Sequence, residues 1–334
     1  MLRIFEMFAG YGGASFALKK AGIPFVCVGY SEIKKAAIKC YQANHKDIHN
    51  YGDCTRINTD NLPDFDLLCG GFPCQTFSIA GKRKGFEDSR GTLFREIIRI
   101  ASEKKPEYML LENVEGLIYH DNGNSLRVIV RKIEKIGYSV IYKVLDSSDY
   151  GIPQTRRRIF FICRYGKPWQ FNEFRWPSPK PYMKLIDLLE NEVPEKYFLT
   201  DTQMQKILNW KSQINPLKHV NTCESTVSTL TASCASGMQL IENKAKFIDE
   251  MHGIGLCHAW RIRKLTPREC FRLMGFVNDE IDISMLSDNT AYNLAGDGWE
   301  INVVSLLMKE IHRIWDVSAF KSTTTYDGLS GAKI

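Results

Sequence analysis

The sequence lacks any apolar run near the roughly 18 to 20 residues that a membrane-spanning helix needs. Near its start, Glu6 stands where a secretory signal would continue its apolar core. Apolar residues make up 44% of the chain and charged residues 25%. The sequence therefore also lacks the biased amino-acid composition of disordered, collagen-like or disulfide-rich chains. We therefore expect a globular cytoplasmic protein that does not contact membranes.

Motifs for metal binding and for disulfides are lacking as well. The ten cysteines include no C-x-x-C pair, which argues against a zinc ribbon or a disulfide framework. His45 and His49 have H-x-x-x-H spacing, but no glutamate follows the first histidine as in a metalloprotease. We predict no metal site, mostly buried reduced thiols, and a solvated loop around both histidines.

Positive charge is present in moderate excess. The formal net charge is +6 and the pI is about 8.7, which permits a polyanionic partner. Cations are concentrated at residues 82–84, 156–158 and 261–272. Each concentration fits either nucleic-acid contact or an ordinary solvated face.

The first half of the chain alternates short apolar runs with helical patterns, as a parallel α/β sheet requires. The apolar runs are nearly continuous, which is typical of strands buried on both faces. The pattern predicts helices at residues 14–21, 92–102 and 126–136, and strands at residues 2–8, 24–30, 65–69, 108–111, 139–144 and 158–163. We therefore predict a doubly wound α/β domain.

A change in composition divides the chain. From residue 168 it is rich in Trp and Pro, residues 176–262 are weakly periodic, and helical patterns return at 267–274 and 303–314. The pattern predicts a main domain at residues 1–175 completed by 277–317, a smaller, partly β domain at 176–262, a connecting motif at 263–276 and a flexible tail at 318–334.

A glycine-rich turn and two acids suggest a nucleotide-like ligand. Residues 8–13, F-A-G-Y-G-G, separate the first predicted strand from the first helix, where glycines let the backbone approach a ligand closely. Glu32 follows the second strand at the position of an acid that binds ribose hydroxyls, and Asp53 could bind an adenine amino group. Taken singly, the turn fits a simple strand-to-helix connection or an NAD-type site, and each acid fits a surface or capping residue.

A thiol and a carboxylate follow two buried strands. Cys74 comes just after the strand at 65–69, and Glu112 directly follows the strand at 108–111. In an open α/β sheet the carboxyl ends of the strands form the ligand crevice, so these side chains and the glycine turn are expected to converge there. An inert buried cysteine is the alternative, but a Pro-Cys in a Gly-rich loop near cations favours a nucleophile.

The full series of motifs resembles the DNA cytosine-5 methyltransferases, of the short bacterial restriction-modification or phage type. In family order the chain contains F-A-G-Y-G-G at 8–13, G-F-P-C-Q-T-F-S at 71–78, G-F-E-D-S-R-G-T-L-F at 85–94, E-N-V at 112–114, D-Y-G-I-P-Q-T-R-R-R at 149–158 and R-K-L-T-P-R-E-C at 263–270. One motif could arise by chance, but an ordered series does not. The resemblance implies a Rossmann-like S-adenosylmethionine-dependent methyltransferase domain with a smaller target-recognition domain.

The resemblance also implies the chemistry. Cys74 would add to carbon 6 of a cytosine flipped out of duplex DNA, so that carbon 5 can accept a methyl group. Glu112 would contact ring nitrogen 3 and the exocyclic amine, while Arg156 and Arg158 would hold the carbonyl oxygen and a nearby phosphate. A structural ion pair is the alternative for these arginines. The base that removes the carbon 5 proton is not identified.

For S-adenosyl-L-methionine, the resemblance assigns a set of residues along the same crevice edge. They are Phe8, Gly10, Tyr11, Gly12, Gly13, Glu32, Ile33, Asp53, Cys54, Leu93, Asp297 and Trp299. The last two belong to a departure from the family: a late G-N-S/A-V-type element reads Gly296-Asp-Gly-Trp-Glu300 here. We expect this variant to be tolerated because backbone atoms can make the contacts.

The implied partner is double-stranded DNA in a cleft between the two domains. Residues 75–91 would form a closing lid with phosphate contacts from 82–84, and residues 225–239, containing T-L-T-A, would read bases. We expect a monomer whose cognate restriction endonuclease, if any, is a separate chain. Two alternatives are an RNA-directed enzyme with the same catalytic set and a non-catalytic, cofactor-dependent DNA binder.

Overall fold

The computed structural model describes residues 1–72, 92–180, 183–200, 202–203, 220–222, 227, 230, 239–241 and 263–324. The chain divides into two compact units: unit 1 is Met1–Leu145, Arg158–Ser178 and Ile301–Ile334, and unit 2 is Asp146–Arg157 and Pro179–Glu300. One break lies close to the predicted boundary at 175. Residues 146–157 and 277–300, expected with the main domain, cluster with unit 2 instead.

Unit 1 is built on a six-stranded mixed sheet with the order β2-β1-β3-β4-β6-β5. Strands β1 to β4 are parallel and β6 is antiparallel to β4. The strands are β1 (Leu2–Met7), β2 (Phe25–Ser31), β3 (Leu67–Gly71), β4 (Tyr108–Val114), β5 (Tyr138–Asp146) and β6 (Arg157–Tyr165). The predicted α/β fold class is confirmed.

Seven α-helices longer than one turn occur in the described residues. They are α1 (Gly13–Ala21), α2 (Lys35–Asn44), α3 (Thr92–Lys104), α4 (Asn124–Lys135), α5 (Pro267–Arg272), α6 (Asp288–Asp297) and α7 (Ile301–Thr324). Helix α7 continues to Thr324, so it extends into the segment 318–334 for which a flexible tail is expected. In the part of the chain that is described, no helix combines the length and apolarity needed to cross a bilayer.

Successive side chains of β1 point to opposite faces of the sheet, and each face is covered by helices. Phe5 and Met7 lie in one buried cluster with Ile97 of α3 and Ile129 of α4. Glu6, between them, points to the other face, where its carboxylate accepts hydrogen bonds from the Ala14 amide and the Ser15 hydroxyl of α1. Helix α7 packs against α1. The sheet is therefore covered on both faces.

The strand order fixes where a ligand crevice lies. The chain leaves β1 for β2 on one side and later places β3 on the other side of β1. Such a reversal leaves a crevice at the carboxyl ends of the two neighbouring strands, because the following loops diverge. The turn after Met7 and the end of β3 at Gly71 border this crevice.

Unit 2 contains a small sheet with the order β7-β8-β9, made of β7 (Val220–Thr222), β8 (Gln239–Ile241) and β9 (Arg263–Lys264). Beside it, the Arg263 guanidinium donates to both carboxylate oxygens of Glu269, with both side chains buried. Thr266 and Glu269 form a capping box at the start of α5. Part of the positive charge at 261–272 is therefore neutralised inside the fold.

Candidate active site

The turn after β1 is held by the carboxylate of Glu32. The backbone takes left-handed conformations at Phe8 (φ 54°), Gly10 (φ 57°) and Gly12 (φ 88°). Glu32 Oε2 accepts from the Gly10 amide at 2.9 Å, and Oε1 accepts from the amides of Ile33 and Lys34, each at 2.8 Å. The carboxylate thus ties the turn after β1 to the turn after β2, and Oε2, which accepts only one of these bonds, can accept a further hydrogen bond from a ligand.

His45 supports the glycine turn from behind. It is buried, so the prediction of a solvated loop is wrong for this residue, although His49 is exposed. The Lys19 ammonium, a donor only, lies 3.2 Å from Nδ1, so Nε2 carries the proton that it donates to the Tyr11 carbonyl at 3.1 Å. Burial and the Lys19 charge lower the pKa of His45 to about 3. The ring is therefore neutral.

Substitution of His45 by glutamine is expected to make the free energy of unfolding less dependent on pH. The unfolded chain binds a proton on His45 near the ordinary pKa of about 6.5, whereas the folded chain excludes it until about pH 3. Stability is thus lost as the pH falls below 6.5. Between pH 7 and pH 5 the wild type should lose about 2 kcal/mol more than the variant.

Urea unfolding at the two pH values measures this difference. His49→Gln is the matched control, because it removes an exposed histidine four residues away and should keep the wild-type pH dependence. Equal pH dependence in the wild type and in His45→Gln would show that His45 accepts a proton in the folded protein.

Other residues assigned to the cofactor border the same edge of unit 1 in different ways. Ile33 presents a side chain that is 67% exposed, beside the Glu32 carboxylate. Phe8 and Leu93 pack half-buried against the cluster shared with α3 and α4. Asp53 Oδ1 accepts from both the amide and the hydroxyl of Thr55, which lowers the pKa of its carboxyl group.

The remaining assigned residues offer less to a ligand through their side chains. The Tyr11 ring is buried against Phe16. Cys54 is buried, and burial raises the pKa of its thiol to about 12. Asp297 and Trp299 lie in unit 2, where Asp297 ends α6. Tyr11 and Cys54 could therefore serve a ligand mainly through their backbones.

The end of β4 carries a partly buried ion pair. Glu112 Oε1 lies 3.0 Å from Arg158 Nε, and their side chains are only 13% and 15% exposed. The antiparallel register pairs Glu112 with Phe160 and Val114 with Arg158, so the two charged residues are diagonal neighbours on one face of the sheet. Two residues 46 positions apart in the sequence are thus brought together beside the crevice.

Asn113 anchors the segment that leads to Cys74. Its buried side chain donates to the Phe72 carbonyl at 2.9 Å and accepts from the Val114 amide at 2.8 Å. Phe72 precedes Cys74 by two residues, and Gly71 is in register with Glu112. Asn113 is part of the E-N-V motif but has no role predicted from the sequence; its place between Glu112 and the end of the strand was the available signal.

Arg156 has a different set of partners. It is buried in unit 2, where it donates to the carbonyls of Leu230 at 2.9 Å, Gly296 at 3.1 Å and Gly298 at 2.7 Å. Gln154 adds two bonds in the same unit, to the Leu273 carbonyl and from the Leu230 amide. The Arg156 guanidinium is thus occupied by backbone carbonyls, which the sequence could not reveal.

Several predictions fall on residues that the structure does not describe. Cys74, the predicted lid at 75–91 with its cations at 82–84, and nearly all of the predicted base-reading segment at 225–239 lie outside the described residues. In that last segment, only Val227, Leu230 and Gln239 are described.

Comparisons with known proteins agree with this arrangement. The family model described as C-5 cytosine-specific DNA methylase matches residues 2–313. Type II methyltransferase M.Bsp6I of Bacillus sp. (strain RFL6) is 34% identical over 331 residues, covering 94% of this chain and 99% of the relative. Type II methyltransferase M.HhaI of Haemophilus parahaemolyticus is 35% identical over 323 residues, covering 93% and 94%.

Solved structures show the same fold. The crystal structure of the S. pombe Dnmt2 methyltransferase superimposes with a TM-score of 0.74 at 24% identity, covering 92% of this chain and 98% of that one. With a family model that spans most of the chain and relatives of nearly equal length, the protein belongs to the C-5 cytosine-specific DNA methylases and is a DNA (cytosine-5-)-methyltransferase.

Proposed function

We propose that this enzyme methylates cytosine within a specific duplex DNA sequence, with S-adenosyl-L-methionine as methyl donor, in a restriction-modification or self-protection system. The observation that carries the proposal is the partly buried Glu112–Arg158 pair, whose glutamate is in register with the strand that leads to Cys74. The Type II relatives support the biological role. We infer a monomer in a bacterial or phage-infected cytoplasm, with any endonuclease on another chain.

Cys74 and Glu112 would divide the chemistry between them. The Cys74 thiolate adds to carbon 6, which makes carbon 5 nucleophilic, and the Glu112 carboxyl group shares a proton with nitrogen 3 as negative charge develops there. After methyl transfer, loss of the carbon 5 proton returns an electron pair that expels the thiolate. Arg158 fixes the Glu112 carboxylate and would reach the carbonyl oxygen of the base.

The residues along the glycine turn fit S-adenosyl-L-methionine. When bound, this cofactor supplies an electrophilic methyl group on a sulfonium. Glu32 would accept from its ribose hydroxyls, Ile33 would cover the adenine, and the N-terminus of α1 at Gly13 would face its carboxylate. The turn is closely packed from behind at Gly12, since a Cβ there would collide with the His45 ring and lie 2.9 Å from Cε2 of Tyr41.

We infer a positioning role for Arg156 rather than contact with the base. Its three carbonyl partners tie segments around Leu230 and Gly296 to the turn before β6. Loss of the guanidinium would leave these buried carbonyls without donors. We also propose that Asp297 and Trp299 contact the cofactor through their backbone atoms.

Substitution of Gly12 by alanine is expected to raise the dissociation constant for S-adenosyl-L-methionine by at least about tenfold. The added Cβ collides with two buried rings, and the residue must keep φ at 88°. The turn that Glu32 holds must therefore shift. Isothermal titration calorimetry measures the constant.

Gly22→Ala is the matched control for this prediction. Gly22 also has a left-handed φ, 69°, but caps the far end of α1 and has open space around its Cβ position. It should lose about 1 kcal/mol of stability and keep the cofactor affinity. Unchanged affinity in Gly12→Ala, or an equal loss in Gly22→Ala, would contradict the assigned site.

Methylcytosine sequencing at base resolution tests the proposed function. Unmethylated plasmid DNA is incubated with the protein and S-adenosyl-L-methionine, and total RNA is treated in parallel. Methylation confined to one DNA context supports the proposal and identifies the target. Methylation of RNA alone would favour the RNA-directed alternative, and a cofactor-binding protein that methylates neither would favour a binding-only role.

A further inference from the structure

The exposed side of α4 carries a row of cations. Arg127, Arg131 and Lys135 follow at four-residue spacing, and all three side chains are exposed. Such residues lie one above another on a helix, about 6 Å apart. Within the described part of the chain, no carboxylate lies within ion-pair distance of any of the three. Since like charges at this spacing destabilise a helix, the row weakens α4 unless an anion covers it.

The positive charge extends toward α3. Lys132 is half-buried, and burial together with the charge of Arg95 on α3 lowers the pKa of its ammonium group. Arg95 is exposed in the first turns of α3. We call the set Arg95, Arg127, Arg131, Lys132 and Lys135 the α4 basic face; Glu134 is the single acid of α4.

An exposed aromatic ring precedes the α4 basic face. Tyr119 is 73% exposed in the segment that joins β4, which carries Glu112, to α4. One residue further on, after His120, Asp121 and Asn122 have left-handed φ angles of 51° and 52°, which non-glycine residues seldom adopt. The Asn124 amide donates to the Asp121 carboxylate at 2.9 Å and fixes this turn. Tyrosine and arginine are the residues that dominate binding surfaces.

We propose that Tyr119 and the α4 basic face form a second contact surface for the DNA backbone, beside the methylated cytosine. The long cationic side chains are spaced to reach successive phosphates, and α4 starts at the sheet edge that carries Glu112. The contact is sequence-independent, so it would add affinity without changing which cytosine is methylated. The proposal rests on DNA being the substrate, which methylation sequencing checks separately.

The triple variant Arg127→Gln/Arg131→Gln/Lys135→Gln tests this surface. Binding to a fluorescent duplex of about 24 base pairs should weaken about tenfold at low salt, and the slope of log affinity against log salt should fall by about 2 to 3. Tyr119→Ala should weaken binding several-fold without changing the slope. Fluorescence anisotropy over a salt series measures both quantities.

The matched control is Lys35→Gln/Lys39→Gln/Lys46→Gln, which removes three exposed cations in and just after α2. It should keep most of the affinity and the slope. An equal loss in the control would show that net charge is responsible, and an unchanged slope in the α4 variant would overturn the proposal. A larger loss on an RNA duplex of the same sequence would overturn it in favour of an RNA partner. In thermal unfolding, the triple variant of α4 should be at least as stable as the wild type, because it removes the repulsion between like charges along the helix.

Discussion

Methylation is expected to fall by at least about 10⁴-fold in Cys74→Ala, while S-adenosyl-L-methionine still binds. Without addition of the thiolate to carbon 6, carbon 5 of cytosine is too weak a nucleophile to attack the methyl group. The other thiols are poor substitutes: burial raises the pKa of both Cys27 and Cys54 to about 12, and raises that of Cys69 well above its ordinary value. A thiol that stays protonated does not attack.

Covalent trapping on DNA that contains 5-fluorocytosine measures this role directly. The wild type should form an adduct that survives denaturation, because fluorine at carbon 5 cannot leave as a proton does. Cys163→Ala is the control: it removes a buried thiol on β6, and should trap normally. An adduct formed by Cys74→Ala, or none formed by Cys163→Ala despite cofactor binding, would contradict the assignment of Cys74.

Local patterns were sufficient for most of the strands but not for their order. Continuous apolar runs predicted the six strands of unit 1 to within a few residues, because buried strands need such runs. The insertion of β6 beside β4, antiparallel to it, depends on long-range pairing that no local pattern contains. Helix α2 was missed because its ten residues bury only Ala37, Cys40 and Tyr41.

For the site, the sequence predicted which strand ends carry chemistry but not how each arginine is used. Arg156 and Arg158 are two positions apart, which on one strand would place them on the same face. Strand β6 starts at Arg157, however, so Arg156 precedes it and its side chain enters unit 2. Likewise the sequence left open whether the cations at 261–272 contact nucleic acid or solvent, and the pairing of Arg272 with Asp279 depends on a turn that local composition does not indicate.

Glu112→Gln is expected to lower kcat by about 10²- to 10⁴-fold while changing DNA and cofactor affinities only several-fold. The amide keeps the shape of the side chain but cannot carry the charge that pairs with Arg158 at 3.0 Å or share a proton with nitrogen 3 of the base. Single-turnover methylation of duplex DNA separates this chemical step from binding.

The same measurement on Arg158→Met tests the other half of the ion pair, because this variant leaves the Glu112 carboxylate without its guanidinium partner. If the two side chains act as one unit, the double variant should be little slower than the slower single variant, whereas independent roles would multiply the two losses. A kcat within about tenfold of the wild type in Glu112→Gln would contradict a catalytic role for the carboxylate. In that case the ion pair would serve to hold β4 and β6 together, and thermal unfolding of the same variants would register its loss.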